Sequence, residues 1–300
     1  MILITGGTGV IGTRLVDEWL KEGHRIRVLA LPSDRTPLER DARVDVRYGD
    51  ISNKENIKGI CKGVSTVYHL AAVILSLDEG VFERVNVNGT RNIVEEAKDA
   101  GVEHFVYISS ASVVYPKKAA YNLSKWKAEE IVRASGLNYT VIRPTLVYSD
   151  TGGEEFNNYL DYLKKFPIVP FIGKGEAKKR PVHVDDIAEG LLAVYGNKNA
   201  YGKIYNFSGS EVISILDFTR LCLKLMGMSN KPIIRLPVWL CYFIAFFMKI
   251  FMKHPPLRPQ MIAGIIQDAD LDPSEAQKDL GFKARPVSEV LPKNFKRGYD

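Results

Sequence analysis

The chain is short of cysteine. Three occur in 300 residues, Cys61, Cys222 and Cys241, far apart and without metal or disulfide spacing. That excludes a disulfide-stapled secreted domain and fits a reducing, cytoplasmic setting. The five histidines do not cluster, so no metal centre is expected. There is no low-complexity tract and no internal repeat. No basic leader precedes Ile2, Leu3 and Ile4, which run straight into glycines, so no signal peptide is expected. The net charge of +6 is moderate and reads as dispersed. It suits an anionic cofactor or a negatively charged membrane surface and is too weak to argue for nucleic acid.

What is present is an ordinary globular composition, 46% hydrophobic and 25% charged. The length fits one large domain or two smaller ones. Short apolar runs at 2–5, 25–31, 44–48, 66–70, 105–109 and 139–143 read as strands. Helical apolar spacing fills 10–21, 82–100 and 121–135 between them. Such alternation predicts an α/β protein with a doubly wound parallel sheet covered on both faces. The rhythm loosens after about residue 147, with a helix at 187–195 and a strand at 204–207. The expected division is 1–147 as a dinucleotide-binding domain, with later returns near 181–208. Residues 148–180 and 209–300 form a smaller, mostly helical substrate region.

The first strand ends in "TGGTGVIG", residues 5–12. Gly7, Gly9 and Gly12 satisfy the dinucleotide fingerprint; Gly6, Gly9 and Gly12 satisfy its looser relative. Glycines allow a tight turn and a close approach to a pyrophosphate. The helix that follows, opened by Val10 and Ile11, aims its free N–H groups at the phosphates. After the second strand, Ser33 and Arg35 could reach a 2′-phosphate and Asp34 could reach a ribose. The NAD/NADP choice stays open, with a slight lean to NADP(H). Further along, "YNLSK" holds Tyr121 one helical turn before Lys125, on one helix face. By itself the pair fits a polar helix edge as well as a proton-transfer site.

With its other motifs in order, the chain resembles the extended short-chain dehydrogenase/reductase superfamily, also called the NAD-dependent epimerase/dehydratase family. The motifs are "TGGTGVIG", "YGDIS", "VYHLAA", "NVNGTRNIVEEA", "VYISSASVVY", "YNLSK", "VIRPTLVY" and "VHVDDIAEG". The resemblance implies a Rossmann domain and bound NAD or NADP. It implies that Asp50 and Ile51 flank the adenine, and that Leu70, Ala71 and Ala72 lie along the cofactor. Asn86 resembles the family's structural asparagine, and Pro144 is placed near the nicotinamide. Ser110 is placed as the catalytic serine, with Ser109 and Ser112 as neighbours able to substitute. Tyr121 then exchanges a proton with a carbinol or carbonyl oxygen while hydride passes to or from the nicotinamide. A free tyrosine has a pKa of about 10. The Lys125 ammonium would lower it.

The C-terminal part offers Lys178, Lys179, Arg180 and Arg258, but not the arginine clamp expected for a sugar diphosphate. Its layout is similar to branches acting on lipophilic alcohols, the 3β-hydroxysteroid dehydrogenase-like ones among them. "VWLCYFIAFFMKIFMKH", residues 238–254, reads as a helix of roughly 15 residues, about 22 Å long. That is too short for a bilayer core of about 30 Å. It reads as a buried core helix, a dimer contact or a helix lying on a membrane surface through 238–253. The expected activity is hydride transfer at a secondary alcohol or ketone of a sterol, isoprenoid or lipid-linked sugar. The alternatives are a nucleotide-sugar 4-epimerase and a non-catalytic NAD(P)-binding redox sensor. A homodimer is expected through the helices at 82–100 and 121–135.

Overall fold

A computed structural model describes residues 1–34, 36–149, 154–252 and 255–298. In chain order the elements begin with β1 (Ile2–Thr5), α1 (Val10–Lys21), β2 (Ile26–Ala30), β3 (Val44–Tyr48) and β4 (Thr66–His69). A π-helix (Phe82–Gly89) runs into α2 (Thr90–Asp99), followed by β5 (His104–Ile108), α3 (Ala120–Arg133) and β6 (Tyr139–Pro144). Next come β7 (Val147–Tyr148), α4 (Glu154–Lys165), β8 (Val169–Ile172), β9 (Lys178–Lys179), β10 (Val182–His183), α5 (Val184–Val194) and β11 (Lys203–Phe207). The last are β12 (Ile213–Ser214), α6 (Ile215–Leu225), β13 (Ile233–Leu236), α7 (Val238–Phe251), α8 (Pro259–Ile266), α9 (Ser274–Leu280) and α10 (Val287–Gly298).

The main sheet has seven strands in the order β11-β6-β5-β4-β1-β2-β3, and every pairing in it is parallel. Both faces are covered, which is why β1, β4 and β5 are buried at every position. On one face, Leu15, Val16 and Trp19 of α1 form a buried stripe packed against α5. Each such side chain contributes about 1.5–3 kcal/mol of apolar burial. On the other face, Ile93, Val94 and Ala97 of α2 meet Ala128 and Val132 of α3 over Phe105 and Val141. The order in which strands are added reverses between β1 and β4. That switch leaves a crevice at their carboxyl ends, where ligands of such sheets bind.

A third core gathers Tyr148, Phe156, Leu160, Phe171, Phe218, Leu223 and Leu291. It unites α4, α6 and α10, outside the seven-stranded sheet.

One element differs from the sequence reading, and a second is narrowed by the structure. Residues 82–100 were expected as one α-helix, but the first eight positions, Phe82–Gly89, are π-helical. Asn86 supplies the reason: its side chain is bonded twice to the Val73 backbone and once to Ser124, which holds the wide turn open. The helix after Pro237 is also not a core helix within this chain. It buries its small residues, Cys241 and Ala245, and exposes its large aromatic ones.

Candidate active site

The glycine turn between β1 and α1 leaves no room for a side chain at Gly6 or Gly12. Gly6 has φ +71°, and a Cβ there would stand 2.8 Å from the Ala71 amide nitrogen. A Cβ on Gly12 would overlap the Gly6 carbonyl oxygen and lie 2.7 Å from the Gly7 Cα. Gly9 caps α1 with backbone alone and no side-chain hydrogen bond. The first N–H groups of the helix, from Val10 and Ile11 onward, therefore have no side-chain acceptor at the cap, which is the arrangement that receives a pyrophosphate. Leu70 N–H donates to the Thr5 carbonyl at 3.1 Å, so the turn Leu70–Ala71–Ala72 lies directly beside this cradle. These features fit a dinucleotide.

At the adenosine end, Ser33 donates to Asp34 at 3.2 Å, and Thr8 of the glycine loop reaches the same carboxylate at 3.4 Å. Arg35 lies outside the described residues. Asp50 accepts from the Ser52 N–H at 2.8 Å, and the Ile51 carbonyl accepts from Asn92 at 2.8 Å. Ile51 packs so closely on Gly89 that a Cβ there would stand 2.6 Å from it.

On the far side of the switch point, β5 ends at Ile108 and the chain turns through Ser110. Ser110 Oγ lies 2.8 Å from Ser112 Oγ and accepts the Ser112 N–H. Ser109 points the other way: it is buried and donates to Glu129 at 2.8 Å. That removes Ser109 as a substitute for Ser110. Tyr121 stands at the start of α3, half-buried, with its ring 6.1 Å from that of Phe82. Pro144 closes β6, buried and opposite Phe207 of β11.

Lys125, one turn after Tyr121, is buried. Its Nζ donates to the Ile108 carbonyl at 2.6 Å and sits 4.3 Å from the centre of the Tyr107 ring. Burial brings its pKa down to about 7, against the opposing pull of the Glu129 carboxylate. A lysine with a folded-state pKa below its unfolded one destabilises the fold where both states are charged. That cost is present in full below about pH 7 and fades as pH rises toward 10.5. Lys125→Met should therefore raise the melting temperature by about 3 °C or more near pH 6. The gain should shrink as pH approaches 10. Differential scanning calorimetry across that range checks it; a gain independent of pH would contradict the assignment.

A chain of buried hydrogen bonds joins the cradle to α3. Thr90 donates to the Asn86 carbonyl at 2.6 Å and so must accept from His69 Nε2 at 2.9 Å. His69 Nδ1 is then the acceptor for Thr5 Oγ1 at 2.6 Å, and Thr5 Oγ1 in turn receives the Ala71 N–H at 3.3 Å. Burial, helped by Lys125, pushes the His69 pKa down to about 3, so the imidazole is neutral as this tautomer requires. Asn86 donates to Ser124, whose hydroxyl donates to the Tyr121 carbonyl at 2.7 Å. The glycine loop, the π-helix and the tyrosine turn are thus held in one register.

The sequence reading missed two parts of this arrangement. Glu129 is fully buried, paired with Arg143 and facing Lys125. Its place four residues after Lys125, on the same helix face, was the available signal. The Thr5–His69–Thr90 relay joins residues far apart in the chain, and no spacing rule points to it.

Strand order, switch point and glycine cradle together define a dinucleotide-dependent α/β enzyme. Residues 2–208 match the family model described as "NAD dependent epimerase/dehydratase family". The chain belongs to that family, and hence to the extended short-chain dehydrogenase/reductase enzymes, with NAD-type cofactor chemistry. It is 31% identical over 193 residues to a ceramide reductase of Caulobacter vibrioides, covering 64% of this chain and 60% of that protein. It is 25% identical to a 3 beta-hydroxysteroid dehydrogenase/Delta 5-->4-isomerase of Mycobacterium tuberculosis, over 97% of this chain and 89% of that protein. In fold it is similar to the dTDP-glucose 4,6-dehydratase DesIV of Streptomyces venezuelae, solved with NAD bound: TM-score 0.78 at 21% identity, over 99% and 96% of the two chains.

Proposed function

We propose that the chain transfers hydride between NAD(P) and a secondary alcohol or ketone of a lipophilic substrate, with Tyr121 as the acid/base. The observation that carries this reading is Lys125. A fully buried ammonium is costly. This one lies one turn from a tyrosine and bonds the carbonyl two residues before Ser110. When bound, the nicotinamide gives or accepts the hydride. Tyr121 gives or takes the proton at the substrate oxygen. Ser110 donates a hydrogen bond to that oxygen, freeing itself from Ser112. Lys125 lowers the phenol's pKa and holds the nicotinamide ribose. Gly6, Gly9, Val10, Ile11 and Gly12 cradle the pyrophosphate. Asp50 and Ile51 hold the adenine, Leu70 to Ala72 line the ribose, and Pro144 borders the nicotinamide.

Support for a lipophilic substrate comes from the second region, 148–180 and 209–300, which we read as the substrate region. Three of the four basic groups singled out there have partners of their own. Arg180 pairs with Asp270, Lys179 holds the Gly264 and Gln267 carbonyls, and Arg258 holds the Ser76 carbonyl. These three are not left forked toward a sugar diphosphate. The names of the ceramide and hydroxysteroid relatives agree with a lipid substrate. Pairing with a second copy and contact with a membrane through 238–253 belong to the same reading. The test is NAD(P)H absorbance with a panel of long-chain and sterol ketones in detergent, set against nucleotide sugars whose epimerised products are read by chromatography. Turnover of the nucleotide sugars alone would overturn the lipid assignment.

Ser33 and Arg35 lean the cofactor choice toward NADP, yet the Asp34 carboxylate stands beside Ser33 and would repel a 2′-phosphate. Asp34→Asn should therefore raise kcat/KM for NADPH relative to NADH by about tenfold, or about 1.4 kcal/mol. An unchanged ratio would show that Asp34 takes no part in the choice.

A further inference from the structure

The chain's positive charge is not dispersed. Residues 218–267 contain seven Lys or Arg and no Asp or Glu, while the other 250 residues carry a net charge of −1. Helix α7 sits within that basic stretch. Its inward face is made of small residues, Cys241 and Ala245, packed on Ile262 of α8. Its outward face carries Trp239 at 69% exposure, Phe246 at 60% and Phe251 at 79%. Phe247 meets Phe243 at a tilt and Phe246 in a T-shaped contact, and stacks on Phe251. An apolar surface of this kind marks an interaction site.

We infer that α7 docks the protein on an anionic lipid bilayer, lying in the interface without crossing it. The inference rests on the lipophilic-substrate reading above and names the surface from which that substrate arrives. Fourteen residues make a helix of about 21 Å. No helix among the described residues is long and apolar enough to cross a membrane. Aromatic side chains on one face and basic residues around them are what an interfacial helix needs. Exposed Arg235 lies just before the helix. A second copy of the chain is a poorer occupant. A two-fold contact sets the same patch against itself, which would bring two stretches of net charge +7 together.

The helix behind the docked face connects to the active-site loops. α8 packs on α7, and Arg258, just before α8, donates to the Ser76 carbonyl at 3.3 Å. Ser76 belongs to a loop whose Ile74, Leu75 and Leu77 are exposed, and whose Val73 is held by Asn86 in the relay below Tyr121.

The test uses the full chain with phosphatidylcholine vesicles, with and without phosphatidylglycerol. Co-flotation is expected with the anionic vesicles, weakened by salt, and about tenfold poorer with neutral ones. Phe246→Asp and Phe251→Asp should each lower binding about tenfold or more while leaving NADH binding and the circular dichroism spectrum unchanged. Trp239 fluorescence should shift to shorter wavelength on binding, a change that Trp239→Phe removes. Absence of flotation with both vesicle types overturns the inference. So does a Phe246→Asp protein that changes from dimer to monomer while the wild type ignores vesicles, since a second copy would then cover the helix. Hydride transfer by the wild type on ketones in detergent would survive either failure, so the enzyme reading is judged separately.

Discussion

Tyr121→Phe should lose hydride transfer by about a thousandfold or more, the range in which a positioned acid/base contributes. The substitution removes one oxygen and leaves the ring contact with Phe82 in place. The Asn86–Ser124 bonds to the backbone of this turn do not use the phenol. NADH affinity should stay close to wild type, measured by nicotinamide fluorescence. Loss of activity with cofactor affinity retained separates an acid/base from a structural tyrosine. It also disposes of the redox-sensor alternative, since a sensor has no turnover to lose.

The second large effect concerns the cradle. Gly12→Ala places a methyl group against the Gly6 carbonyl and 2.7 Å from the Gly7 Cα. These are backbone atoms that cannot swing aside, so the turn must open and α1 must move away from the phosphates. NAD affinity should fall about a hundredfold, or about 2.7 kcal/mol. Gly264→Ala is the matched control. No heavy atom lies within 4 Å of a Cβ built there, and its φ is not in the left-handed region. In helix α8 it should keep NAD affinity and gain about 0.5–1 kcal/mol of stability. Isothermal titration with NAD, alongside thermal melts, checks both. Equal affinity in Gly12→Ala and wild type would mean the dinucleotide binds elsewhere.

Much of the Rossmann half was legible because periodicity dictates it. β1 and α1 fall where the apolar runs put them, since a strand buried on both faces and a helix buried on one stripe leave distinct patterns. The glycine cradle was legible because its constraint is local: backbone positions such as Gly6 and Gly12 that cannot bear a Cβ. The π-helix was not. Its wide turn is set by Asn86 reaching the Val73 backbone, a tertiary bond that local spacing does not encode. The orientation of α7 was hidden for another reason. Its apolar residues go all the way round, so periodicity selects no face, and the size difference between Cys241 or Ala245 and the phenylalanines decides which side packs. Tyr121 and Lys125 were legible as a pair, but not the burial of Lys125, which depends on Tyr107 and Ile108 of the neighbouring strand.

The most direct test of the central claim is a crystal structure of the chain with NAD. The account predicts the nicotinamide bordered by Pro144, with Tyr121 and Ser110 opening onto its C4 and Lys125 moved from the Ile108 carbonyl to the ribose. Lys125 still bonded to Ile108, with the ring bound away from Tyr121, would contradict it.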